Sequence, residues 1–241
     1  DPHLYKKDMN NSGLRRNDIM KLYLVRHGET LWNREHILQG QLDSPLTQKG
    51  IGGAEKIREA LSGIEFTKVY TSHQIRSMVT ADIILEGRKD ISYTVEPYIA
   101  EMSYGHWQGK TMEEICESPE SEAQYMNYFR HPEKFVPVEG GERFEDVIKR
   151  AELFIDRLRK EHESDDVILA VSHGVFIKAL FVMIRKLNIS EFWEKPFITN
   201  CSISIFDIKD DSIEILSEVE TSHLGEHQVT TAETDYIKKK E

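Results

Sequence analysis

The sequence predicts an α/β fold: a three-layer sandwich whose mostly parallel sheet has an antiparallel edge and helices on both faces. Three observations point to it. Residues 22–25 and 167–172 are short, continuous apolar runs, the pattern of strands buried on both sides. Segments with helical spacing alternate with such runs, as in crossover-connected sheets. Residues 202–208 and 213–219, joined through Lys209-Asp210-Asp211, read as an antiparallel hairpin at a sheet edge.

Taken in order, residues 1–19 are polar and lack the apolar core of a signal peptide, so they are expected to be a disordered extension or a cloning remnant ahead of Met20. The strand at 22–25 ends in Arg26-His27-Gly28, and a polar loop runs through Asp43-Ser44-Pro45. Thr47 then opens a helix with Ile51, Ala54, Ile57 and Leu61 on one face, closed at Gly63. A strand at 68–71 leads to Ser72, read as the cap of a helix that carries Arg76 in its first turn. Residues 93–95 are a third strand, 101–109 a loop rich in glycine and aromatics, and Thr111-Met112-Glu113-Glu114 a capping box. Residues 117–139 are read as irregular or short-helical. After Gly140-Gly141, Phe144, Val147, Ile148, Ala151, Phe154, Ile155 and Leu158 form one helical stripe. The strand at 167–172 runs into His173-Gly174 and a helix, apolar almost all round, to Leu187. A single catalytic domain over 20–224, a lid insertion around 102–141 and a polar tail over 225–241 complete the expected organisation.

Composition narrows the function. No apolar run approaches the roughly 18 residues needed to span a bilayer. With 31 Lys and Arg against 42 Asp and Glu the net charge is -11, so neither nucleic acid nor an anionic membrane is expected as a partner. An anionic ligand must instead be caught by local cations. Cys116 and Cys201 have no metal-ligand spacing, which fits reduced thiols in a cytoplasmic protein. No heptad pattern points to an oligomeric state.

The chemistry lies in a coincidence. Two separate strands each end in a His-Gly pair, and in a parallel sheet both imidazoles reach the same edge. Arg76, after a third strand, joins Arg26 there. Two guanidinium groups and two imidazoles describe a phosphate cage, with Gly28 and Gly174 permitting close backbone approach and helix N-termini adding partial positive charge. No metal or cofactor is needed. From these residues alone, His27 and His173 are equivalent candidates for attack on phosphorus.

Arg26-His27-Gly28-Glu29-Thr30, Asn33, Gln39-Gly40 and Asp43-Ser44-Pro45-Leu46-Thr47 resemble the signature of the histidine phosphatase superfamily, in its phosphoglycerate-mutase-like branch. Thr71-Ser72 with Arg76 and Thr80-Ala81, then Glu101 with Gly105, Trp107 and Gly109, then Gly140-Gly141-Glu142 and Ser172-His173-Gly174, follow in the family's order. Several spaced motifs together are far more specific than one tripeptide. The resemblance implies the phosphoglycerate-mutase-like fold, with His27 as the nucleophile that becomes a phosphohistidine. It implies that Arg26, Asn33, Arg76 and His173 hold the phosphoryl oxygens and that Glu101 protonates the leaving oxygen. A protonated Glu101 requires surroundings that raise its pKa, and activity is then expected to fall above neutrality. Ile37, Gly53 and Gln108 depart from the family's usual Arg, Gln and Glu.

The branch contains mutases and phosphatases. Acids outnumber bases between residues 110 and 143, so a second anionic group would be poorly held there. Tyr125, Tyr128, Phe129 and Phe135 fit an apolar lid over an uncharged leaving group, or the lid's own small core. The reading is therefore a metal-independent phosphomonoesterase acting on a small phosphorylated metabolite. A cofactor-dependent mutase and a non-catalytic phospho-ligand or protein-binding module are the alternatives.

Overall fold

A computed structural model describes residues 19–225. The expected extension over 1–19, apart from Ile19, and the expected tail beyond Gly225 lie outside the described residues. In chain order the elements are β1 (Met20–Arg26), α1 (Leu31–Glu35), α2 (Gln48–Ala60), β2 (Lys68–Thr71), α3 (Ile75–Leu85) and β3 (Tyr93–Val95). They continue with α4 (Met112–Ile115), α5 (Pro119–Arg130), α6 (Phe144–Glu161), β4 (Val167–Ser172), α7 (Gly174–Arg185), β5 (Ile203–Ile208) and β6 (Ile213–Glu220).

The six strands form one sheet in the order β3-β2-β4-β1-β5-β6. β1 runs parallel to β4, and β2 runs parallel to both β4 and β3, while β5 and β6 turn back antiparallel. Side chains alternate across each strand, so one apolar run serves two cores. Leu22 and Leu24 join Ile168, Ala170 and Phe206 beneath α6 and α7, whereas Tyr23 and Val25 join Val69, Leu169 and Val171 beneath α2 and α3. This alternation makes the three layers. Each large apolar side chain fully buried this way contributes about 1.5–3 kcal/mol.

Three boundaries differ from the sequence reading. Residues 117–139 contain the helix α5, which Ser118 caps by accepting the Ser121 N–H, with Pro119 in the first turn. Leu31–Glu35 is a one-turn helix within the expected loop, opened by a Thr30/Asn33 capping box. α2 ends at Ala60, before Gly63.

The register places the site. Arg26 pairs with Ser172, and Thr71 with Val171, so the residues after β1, β2 and β4 emerge side by side at one sheet edge. The His27 N–H extends the ladder by one bond to Ser172 O, at 3.0 Å.

Candidate active site

At the end of β1 the His27 ring is buried, and its Nδ1 lies 2.7 Å from Gly28 O. A carbonyl only accepts, so Nδ1 carries the proton and Nε2 holds a lone pair. Arg76 Nε donates to that Nε2 at 3.2 Å. Burial first, then the charges of Arg76 and Arg26, hold the His27 pKa well below its ordinary value. The imidazole is neutral at neutral pH, as a nucleophile requires.

His173 is placed differently. It stands behind His27, with ring centroids 5.1 Å apart, and its Nε2 is bonded to Ser72 Oγ at 2.7 Å. Burial, with Arg76 next, lowers its pKa strongly too. Ser72 therefore serves this imidazole. Its Oγ also takes the Gln74 N–H at 3.3 Å, ahead of α3, whose own N-cap residue, Gln74, makes no side-chain capping bond. Asp43 closes that helix from another loop, Oδ2 taking the Ile75 N–H at 2.9 Å and Oδ1 the Arg76 N–H at 3.2 Å.

Arg76 enters the cage through the same aspartate. Its Nη1 donates to Asp43 Oδ1 and Leu42 O, each at 2.7 Å, and its Nη2 to Gly40 O at 2.8 Å. The Arg26 guanidinium donates from Nη1 to Ile198 O at 2.6 Å and lies against Gly174, where a Cβ would stand 3.2 Å from Cζ. Gly174 thus makes room for a side chain.

Gly28 also has a packing role. Its N–H donates to Thr80 Oγ1 at 3.0 Å, and a Cβ there would come within 2.7 Å of Gly50 O in α2. Neither Gly28 nor Gly174, expected to let a phosphate approach the backbone, is among the residues lining the cleft, and the Gly28 N–H is taken by Thr80 Oγ1.

Glu101 reaches the N-terminus of α7. Its Oε1 accepts from Met102 N at 2.9 Å, and both carboxyl oxygens lie 3.2–3.3 Å from Val175 N. Arg150 clasps the segment before it, donating to Tyr98 O at 2.7 Å and Ala100 O at 2.8 Å while paired with Glu142. Asn33 turns Oδ1 inward, to Thr30 N, Thr30 Oγ1 and Asn200 Nδ2, which leaves its Nδ2 as the end facing the cleft.

Arg26, His27, Asn33, Arg76 and Glu101 form the inner wall of an open cleft. The outer wall is Trp32, Ile37, Leu38, Met112, Ile115, Tyr125 and Phe129, with His36 and Lys110 at its rim. His173 stands outside this lining. Sequence reasoning missed Asp43, Arg150 and Asn200 as supports; Asp43 and Glu142 were noticed only as members of motifs. Among the described residues no group of three or more His, Cys, Asp or Glu is arranged to hold a metal ion, and no helix is long and apolar enough to cross a membrane.

The chain is 32% identical over 212 residues to phosphoserine phosphatase 1 of Hydrogenobacter thermophilus, covering 88% of this chain and 97% of that protein. It is 32% identical over 175 residues to the adenosylcobalamin/alpha-ribazole phosphatase of Salmonella typhimurium, covering 72% and 84%. Among solved structures, Bacillus stearothermophilus YhfR superposes with a TM-score of 0.80 at 33% identity, over 85% of this chain and 99% of that one. The sequence profile of the histidine phosphatase superfamily (branch 1) matches residues 22–221. With the two arginines and two histidines gathered where the parallel strands end, the chain belongs to the histidine phosphatase superfamily, branch 1.

Proposed function

We propose that the protein is a metal-independent phosphatase of a small phosphorylated metabolite, working through a phosphohistidine on His27. One observation carries the reading: the hydrogen bond from Nδ1 to Gly28 O leaves the His27 Nε2 lone pair among Arg26, Arg76 and Asn33 in the cleft wall. His173, whose Nε2 is held by Ser72, supports the ring of His27 from behind.

In the first step Nε2 forms a bond to phosphorus, the bond to the leaving oxygen breaks, and the Glu101 carboxyl supplies that oxygen's proton. Arg26, Arg76 and Asn33 stabilise charge on the phosphoryl oxygens. In the second step the Glu101 carboxylate takes a proton from water, whose oxygen attacks phosphorus. The P–N bond breaks, releasing inorganic phosphate and restoring both side chains. Two smaller barriers replace one.

The outer wall favours an apolar or aromatic leaving group. A mutase must also grip a second anionic group, and beyond the cage the cleft offers Lys110 among mostly apolar and aromatic side chains. Residues 102–141 act as the lid within one catalytic unit spanning 20–224, a reading supported by the Tyr104–Gly141 bridge at the segment's base. Free Cys116 and Cys201, the latter thiol pushed up to about 12 by burial, suit a reducing cytoplasm.

The test is hydrolysis of p-nitrophenyl phosphate with excess chelator. Full activity with chelator, an acid-labile phosphoprotein on rapid quenching, and loss of both in His27→Ala are expected. A metal requirement, or turnover undiminished in His27→Ala, overturns the reading. Conversion of 3-phosphoglycerate that depends on a bisphosphoglycerate primer and exceeds hydrolysis would make the protein a mutase.

A further inference from the structure

Asn200, 1% exposed, sits in the turn before β5 and makes a pair of bonds. Its Nδ2 donates to His27 O at 3.1 Å and to Asn33 Oδ1 at 3.3 Å. Both partners are acceptors, so the amide has one orientation, because the flipped form would set oxygen against oxygen.

Neither acceptor depends on Asn200. His27 O also lies 3.3 Å from Cys201 N, and Asn33 Oδ1 receives Thr30 N at 3.1 Å and Thr30 Oγ1 at 3.2 Å. The Asn200 Oδ1 is buried without a hydrogen-bond partner. Burying a primary amide with an unpaired acceptor is unfavourable, and the two bonds it makes go to groups already served. What Asn200 alone supplies is a direct tie between the backbone of one residue and the side chain of the other.

We propose that Asn200 is a positioning residue, whose amide sets the separation of His27 from Asn33 so that nucleophile and phosphoryl-oxygen donor meet the same phosphate in register. The proposal rests on the phosphatase reading given above. It follows from the demand that reacting groups be held within fractions of an ångström, since a misplacement of about 1 Å costs roughly a hundredfold in rate. Two hydrogens on one planar nitrogen hold two partners at a fixed span, which neither a serine nor an aspartate at 200 reproduces.

The test compares wild type with Asn200→Ala, Asn200→Ser, Asn33→Ala and the double variant Asn33→Ala/Asn200→Ala. Turnover of p-nitrophenyl phosphate, calorimetric binding of inorganic phosphate and thermal unfolding are measured for each. Because both acceptors keep other donors, Asn200→Ala is expected to fold. Its kcat should drop about ten- to a hundredfold with KM changed less. Asn200→Ser, the milder change to the turn, should show the same split. The double variant should be no slower than Asn33→Ala within about twofold, because removing Asn33 removes what the tie positions. Wild-type rates in Asn200→Ala and Asn200→Ser, or losses that multiply in the double variant, overturn the proposal. Absence of His27-dependent turnover in the wild type overturns the phosphatase reading instead. The same non-additive pattern in phosphate affinity then decides on Asn200.

Discussion

His27 and His173 end neighbouring strands with the same dipeptide, and their difference arises from what each ring nitrogen meets. One imidazole is pinned through Nδ1 and turns Nε2, which accepts from Arg76 Nε, to the cleft wall; the other gives Nε2 to a serine. The bond to Gly28 O is local, but Arg76 and Ser72, which decide what each Nε2 meets, arrive from another part of the sequence. The positions of His27, Arg26 and Arg76 at one sheet edge were legible because two apolar strands end in the same His-Gly pair and a third carries Arg76 just beyond its end. The supports were not, because Asp43 and Asn200 act across long stretches of chain with no periodicity to mark them. Two expectations belong to this scale. Glu101→Gln, similar in shape but unable to give up a proton, should lower kcat by about a hundredfold or more while Tm stays within a few degrees, as followed by steady-state kinetics and calorimetry. Asp43→Ala removes both the cap of α3 and the anchor of Arg76. It should cost about 1–2 kcal/mol in urea denaturation and also raise KM.

Among the elements, α2 bears on the nucleophile without touching substrate. Its first turn crosses the backbone after β1 so closely that a Cβ on Gly50 would stand 2.1 Å from Glu29 O. Thr47 fixes this approach by capping α2 through Gly50 N and bonding Glu29 Oε1 at 2.8 Å. Gly50→Ala is therefore expected to push helix and strand apart, losing about 1–3 kcal/mol and, because His27 moves with the strand, most of the activity. Equilibrium denaturation and kinetics on the same sample check it. The long apolar stripes of α6 and α7 and the strand runs were plain in the sequence because each must face a core. The helix α5 was not, since its first half, Pro119-Glu120-Ser121-Glu122, is polar, and its aromatic half divides its duties. Tyr128 packs on Phe144 and Phe135 and, with Tyr125 and Phe129, also lines the cleft.

At the scale of the whole molecule, a chain of net charge -11 gathers Arg26 and Arg76 beside two neutral, buried histidines. Both histidine pKa values are lowered on folding, so between the native values and about 6.5 the unfolded chain binds protons that the native state refuses. Their contribution to stability is therefore intact above about pH 6.5 and is lost as pH falls below it, at up to about 1.4 kcal/mol per pH unit for each ring. Urea titrations between pH 7 and pH 5 should show this slope, and His173→Asn should make it shallower. The sheet order carries one more consequence, for synthesis. β1 is made first, yet its neighbours on both sides, β4 and β5, belong to the last third of the chain. Until β4 leaves the ribosome this apolar strand has both edges open, and until β5 follows it still has one, which makes it the stretch of the nascent chain most in need of a chaperone. Catalytic competence is then the last property the molecule acquires, so a half-made copy has no means to strip phosphate from the metabolites around it.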